Sequence, residues 1–181
     1  MRLYGTKTLN HRSQAYRLLE YGAAESWGIA PLPPLSHHVQ GKPFFSDLPH
    51  HHFNLSHSGS LALCALDGSP VGADIQMIKQ WRPSLPSRVC SPEELAWLNE
   101  GTDFWHRFTL LWVLKECRVK QSGSGLIRPI SGIKVPLPTE NETLYFLDGL
   151  WFRIYSQNDW QAAVCGLCPP PEEIRWITLQ E

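Results

Sequence analysis

The chain predicts an α+β fold, and three features of its sequence carry that prediction. Helical spacing of apolar residues opens each half of the chain, short apolar runs follow in each, and proline or glycine clusters separate them. The 181 residues suffice for one domain or for two small halves sharing a core.

Residues 10–29, "NHRSQAYRLLEYGAAESWGI", suit a helix, because Leu18, Leu19 and Ala23 recur near helical spacing and Gly28 follows. Pro31, Pro33 and Pro34 prevent its continuation, so "APLPPLSHHVQGKP" reads as an extended connector. Leu61 to Leu66 forms a short apolar strand. Asp67-Gly68 is a hairpin signal, and Val71 to Ile78 reads as the return strand. "QWRPSLPSRVC" reads as an exposed, proline-broken loop. In "SPEELAWLNEG", Ser91 fits the N-cap, Pro92 the first turn, Glu94 the capping-box position and Gly101 the stop. A second helix runs from about Asp103 to Lys120 and is halted by Gly123 and Gly125. "LYFLDGLWFRIYSQNDWQAAVCGL" then reads as strands, with turns at Asp148-Gly149 and Asn158-Asp159.

Bulk properties narrow the function. A net charge of −1 argues against a general nucleic-acid or membrane-surface binder. Five cysteines without framework spacing suit a reducing, cytoplasmic setting, and the start carries no apolar signal region. No apolar run approaches membrane-spanning length. Cys165-Gly-Leu-Cys168 matches C-x-x-C, but "AAVCGLC" reads as a buried strand.

Four stretches could carry chemistry. At ~100° per residue, Trp112, Lys115, Glu116 and Lys120 share one stripe, with Leu110, Leu111, Val113, Leu114 and Cys117 on the other side. The stripe is either a solvated face or a charged site. In "VGADIQ", Asp74 and Gln76 point to one side of a strand, and Gly72 leaves room beside them. Asp74 either caps a strand end, pairs with a lysine, or joins Glu116 in holding a magnesium ion, which takes one or two carboxylates. Ser56-His57-Ser58-Gly59 is either a serine-rich turn or a cradle for an anion. Taken together, Lys42, Ser56, His57, Lys115 and Lys120 would bind anions while Asp74 and Glu116 hold a cation, the combination phosphoryl transfer needs. The residues alone reach a di- or polyphosphate bound with magnesium.

In their order, "GKP" (Gly41–Pro43), "FNLSHSG" (Phe53–Gly59), "VGADIQ" (Val71–Gln76) and "LWVLKECRVKQSGSGL" (Leu111–Leu126) resemble the 4′-phosphopantetheinyl transferases, of the larger, surfactin-synthetase-activating type. The resemblance implies a pseudo-twofold pair of α+β halves, residues 1–80 and 81–181, forming one compact unit with coenzyme A bound between them. It implies transfer of the phosphopantetheine arm to a serine of an apo acyl or peptidyl carrier protein, as a holo-acyl-carrier-protein synthase does. Asp74, Gln76 and Glu116 would hold Mg2+, with Glu116 accepting the serine proton and Lys115 and Lys120 neutralising phosphate. Arg12, Lys42, Ser56 and His57 would hold the nucleotide and its phosphates. Docking of the carrier would use the loop from Ile78 to Val89 and the helix beside it, and a monomer would suffice. Gln76 stands where the family commonly has an acid, and only ten residues precede His11, where larger members place a basic segment. Both departures leave room for a catalytically weak or inactive relative that binds coenzyme A or a carrier protein. Cys117 replaces the usual small residue after Lys-Glu, and Glu94 aligns with an acid that approaches the site in some relatives.

Overall fold

The computed structural model describes residues 1–123, 125, 129–139 and 141–179. It confirms the α+β class, with two four-stranded sheets and a helix laid on the outer face of each. The first sheet joins β1 (Arg2–Thr6), β4 (His52–Ser58), β5 (Leu61–Asp67) and β10 (Arg175–Trp176) in the order β10-β1-β5-β4. The second joins β6 (Gly72–Met77), β7 (Leu144–Leu147), β8 (Leu150–Ser156) and β9 (Trp160–Gly166) in the order β6-β9-β8-β7. Helices α1 (Ala15–Trp27) and α4 (Phe104–Ser122) are the outer layers; α2 (Leu85–Val89), α3 (Pro92–Glu100) and a ribbon of β2 (Leu35–His37) with β3 (Pro43–Phe45) complete the fold.

Side-chain alternation explains the layering. Along β5, Ala62, Cys64 and Leu66 pack with Leu18 and Leu19 of α1, while Leu61, Leu63 and Ala65 pack with Ala73 and Ile75 of β6 and with Ala162 and Val164 of β9. Both faces are covered, which is why this strand is an unbroken apolar run rather than an alternating one. Along β9, Ala163 and Cys165 turn the other way, onto Leu111, Leu114 and Cys117 of α4.

Local signals fixed several boundaries. Gly28 closes α1 in the left-handed conformation (φ 68°), and Gly123 does the same for α4 (φ 66°). Ser91 and Glu94 form the reciprocal capping box of α3. Asp148-Gly149 turns β7 into β8 as expected, and the turn at Asn158-Asp159 leads into β9.

Other expectations need correction. Asp67-Gly68 is not a hairpin turn: β5 has no free edge, since β1 and β4 flank it, so the chain crosses to the second sheet and β6 pairs with β9. The hairpin is β4–β5 instead, closed at Gly59-Ser60. The connector after Pro31 contains the β2–β3 ribbon, and "QWRPSLPSRVC" contains α2, whose Pro86 and Val89 are buried. Strands β1 and β10 carry little apolar period of their own and exist because they extend the first sheet. The division at residue 80 does not coincide with the sheets, because β6 belongs to the second and β10 to the first. Ser124 and Leu126 of the last quoted motif lie outside the described residues.

Two contacts lock α4 to the sheets. At Gly72 there is no space for a side chain, because a Cβ there would overlap the Cys117 carbonyl oxygen and stand 2.6 Å from the Gln121 nitrogen. Lys42 Nζ then clamps the helix end, donating to the carbonyls of Lys120 (2.5 Å), Val71 (3.1 Å) and Gln121 (3.4 Å). A cation at the carbonyl end of a helix is favoured by the local dipole. Burial nevertheless pulls the Lys42 pKa from its ordinary 10.5 down to about 8.

Gly72→Ala should destabilise the protein by about 1–3 kcal/mol in urea unfolding, the cost of forcing a methyl group into packed backbone. Lys42 predicts a pH effect of definite sign. Its folded pKa lies below its unfolded one, so between pH 8 and 10.5 the unfolded chain binds more protons and the folded state gains stability as pH rises. The stability of the wild type relative to Lys42→Met should therefore increase across that window; a constant difference in urea unfolding would contradict the assignment.

Candidate active site

Strand β6 meets α4 along the side that carries Gly72, Asp74 and Gln76. Asp74 is 2% exposed. Its Oδ1 accepts from Lys120 Nζ at 2.6 Å and from Ser56 Oγ at 2.5 Å, and Lys120 Nζ also donates to Ser56 Oγ at 3.1 Å. Lys120 therefore closes a triangle with Asp74 and Ser56 while keeping part of its side chain in solvent. The second carboxylate oxygen, Asp74 Oδ2, is buried, and no hydrogen-bond partner reaches it among the described residues. A buried carboxylate oxygen without a partner is costly, which makes this the natural opening for a cation.

Glu116, on α4, lies within electrostatic reach of Asp74 and Lys120. Burial raises its pKa first and the Asp74 charge raises it further, with Lys120 partly opposing. The strand carboxylate and the helix carboxylate thus act on one another electrostatically. Gln76, the third expected donor, presents its amide oxygen to Ser58 Oγ at 3.1 Å. Among the described residues no group of three or more His, Cys, Asp and Glu side chains could hold a metal ion.

The first sheet holds these donors in place by an unusual seam. Three alternate side chains of β4 accept from the edge amides of β6: Asn54 Oδ1 from Ala73 (2.8 Å), Ser56 Oγ from Ile75 (3.3 Å) and Ser58 Oγ from Met77 (3.1 Å). Side chains thus replace the main-chain ladder that would otherwise satisfy this edge. Asn54 did not stand among the expected site residues, and Ser58 did so only as part of the Ser56–Gly59 stretch. The signal was present as polar side chains at every second position of "NLSHS", which marks one face of a strand. It also corrects the turn reading of Ser56-His57-Ser58-Gly59, since the stretch is strand up to Ser58 and only its end is a turn.

The remaining expected residues divide into two groups. His57 is partly buried, with its pKa lowered by burial, then by Arg12 and by Lys120, and raised by Asp74, so these four groups lie within electrostatic reach of one another. Arg12 is exposed at the turn preceding α1. Lys42 and Lys115 lie outside this group. The ammonium of Lys42 is engaged by the three carbonyls described above. Lys115 is 1% exposed and faces inward, paired with Glu94 at 2.7 Å, so the stripe expected to carry four residues together does not. Trp112 packs with Trp81 and Phe108, leaving Glu116 and Lys120 as the charged pair facing Asp74. Cys117 is buried against the second sheet.

The family model of the 4′-phosphopantetheinyl transferase superfamily matches residues 70–165, the span from β6 through α4 to β9. A 4′-phosphopantetheinyl transferase of Bacillus subtilis is 33% identical over 177 residues, covering 88% of this chain and 77% of the relative. The 4′-phosphopantetheinyl transferase Sfp of Bacillus subtilis strain 168 is 33% identical over 152 residues, covering 78% of this chain and 66% of Sfp. The 4′-phosphopantetheinyl transferase AcpT of Salmonella typhi is 37% identical over 116 residues, 59% of this chain and 58% of AcpT. With the family model spanning more than half of its length and the first of these relatives matched along most of both chains, this protein belongs to the 4′-phosphopantetheinyl transferase superfamily.

Proposed function

We propose that this protein transfers the 4′-phosphopantetheine arm of coenzyme A to a serine of an apo acyl or peptidyl carrier protein, releasing adenosine 3′,5′-bisphosphate. The observation that carries this reading is Asp74, with one oxygen held by Lys120 and Ser56, the other buried without a partner among the described residues, and Glu116 within electrostatic reach. Family membership supplies the substrate class, and the site supplies groups suited to it.

Magnesium fits the donors present. Asp74 Oδ2, Glu116 and the amide oxygen of Gln76 are hard oxygen ligands, and a magnesium ion completes its octahedron with water and phosphate oxygens. Bound there, it would supply positive charge to the pyrophosphate of coenzyme A. The chain's own residues do the rest. Glu116 accepts the proton of the carrier serine as its oxygen attacks the phosphorus that bears the pantetheine arm. Lys120 offers an ammonium to the phosphate oxygens as the bond to the bridging oxygen breaks and the bisphosphate leaves with that electron pair. Ser56 fixes the Asp74 carboxylate, and His57 with Arg12 adds positive or hydrogen-bonding character on the nucleotide side.

A second reading has its own support. Gln76 contributes no charge, and Lys42 and Lys115 spend their ammonium groups within the protein, so a relative that binds coenzyme A or a carrier without transfer is the alternative. No helix among the described residues is long and apolar enough to cross a membrane, and the five cysteines are free, which suits the cytoplasm. Asp74 and Glu116 come from one chain, so a monomer would be competent.

Incubation with apo-carrier, coenzyme A and magnesium should add the arm to the carrier, read as its intact mass; coenzyme A binding with no mass increase on several carriers would favour the alternative. Glu116→Ala and Lys120→Ala should each lower kcat by ~100-fold or more, the scale of a lost general base or a lost charge-stabilising group. Gln76→Glu should lower the magnesium concentration giving half-maximal activity, since it adds a charged ligand and retains an acceptor for Ser58; an unchanged titration would refute a ligand role for position 76.

A further inference from the structure

Lys115 immediately precedes Glu116, yet its side chain leaves in the opposite sense, into the protein. Its ammonium meets three acceptors: Glu94 Oε2 at 2.7 Å, the Ile130 carbonyl at 3.0 Å and the Ile133 carbonyl at 3.1 Å. An ammonium has three N–H donors, so all are used. Glu94 is equally committed: the oxygen that pairs with Lys115 also accepts from the Ser91 N–H at 2.7 Å, closing the capping box of α3. One buried ion pair therefore ties together the first turn of α3, the middle of α4 and the segment 130–133.

We propose that Lys115 and Glu94 are a positioning pair that sets the rotation of α4 about its axis, so that Glu116 and Lys120 face Asp74, and that Lys115 does not bind the reacting phosphates. The helix geometry carries the argument. At ~100° per residue, Glu116 and Lys120 lie ~100° and ~140° around the axis from Lys115, and Cys117 and Gln121 lie ~200° and ~240° around it. Lys115 is held by Glu94 on one side, while Cys117 and Gln121 are pressed against Gly72 on the other. With both sides fixed, the intervening arc that carries Glu116 and Lys120 has one orientation. A small rotation would carry Glu116 away from Asp74 without unfolding anything, and a misplacement of ~1 Å at a reacting group can cost ~100-fold in rate.

This inference rests on the transfer reading, and a double-mutant cycle of Lys115→Met and Glu94→Leu tests it. Removing one partner leaves a buried charge uncompensated, whereas an apolar pair of similar volume is tolerated. Measured at 20 °C on folded protein, each single variant should lose kcat by ~10-fold or more while the KM for coenzyme A stays within ~2-fold, and the double variant should recover most of that loss. A double variant that folds but is no faster than Lys115→Met would show the ammonium acting on substrate and would overturn the proposal. So would wild-type kcat in Glu94→Leu, which leaves the Lys115 cation in place; that single variant decides the matter if the double variant does not fold. Should the wild type itself fail to modify any carrier, the transfer reading falls, and the pair is judged by hydrogen exchange over 129–139. Exchange there should be faster in each single variant and restored in the double; exchange unchanged in the single variants would overturn it.

Discussion

The approach of α4 to β6 at Gly72 is the constraint on which the site depends. Backbone meets backbone there with no side chain between, so the helix lies closer to the strand than any other residue would permit. Two residues along the strand, Asp74 meets Lys120 at 2.6 Å, and Glu116 shares its electrostatic environment. Charged groups drawn from one strand and one helix act together only when these elements are held at a fixed spacing. The close approach at Gly72 supplies that spacing from the C-terminal half of the helix.

The seam between β4 and β6 adds a second level of order. Two sheets can be joined by packing alone, but packing permits sliding. Here the hydrogen bonds of Asn54, Ser56 and Ser58 to successive edge amides fix the register of one sheet against the other. The same Ser56 hydroxyl that accepts from Ile75 donates to Asp74, so the joint and the site share an atom. That sharing gives the serine a positional role beyond any contact it makes with an anion.

Cations are divided between chemistry and architecture in a way their types do not reveal. Lys120 keeps one flank in solvent and pairs with the open carboxylate. Lys42 caps a helix end, and Lys115 joins three segments in the core. Each ammonium is a strong donor needing about three acceptors, and whichever acceptors the fold brings within reach decide its employment. Glu94 follows the same logic, serving its own helix terminus and a neighbouring helix through a single oxygen.

Much of this was written in local sequence. The caps at Ser91, Gly28 and Gly123, the apolar runs of β5 and β9, and the order of the "NLSHSG", "VGADIQ" and "WVLKE" stretches depend on neighbours a few residues apart, and they were legible without coordinates. The meeting of Asp74 with the late helix stood only among several readings, as a lysine partner or as a cation shared with Glu116, and the structure gives it Lys120. What tertiary structure alone decided was pairing and direction. Asp67-Gly68 carries a hairpin signal, yet β5 had both edges taken and the chain had to pair elsewhere. Lys115 and Lys120 both lie on the charged stripe of the helix, but the placement of α3 brings Glu94 to the first, while β6 brings Asp74 to the second. Local sequence sets what a residue offers; the partners it meets come from segments far along the chain, and no local pattern encodes them.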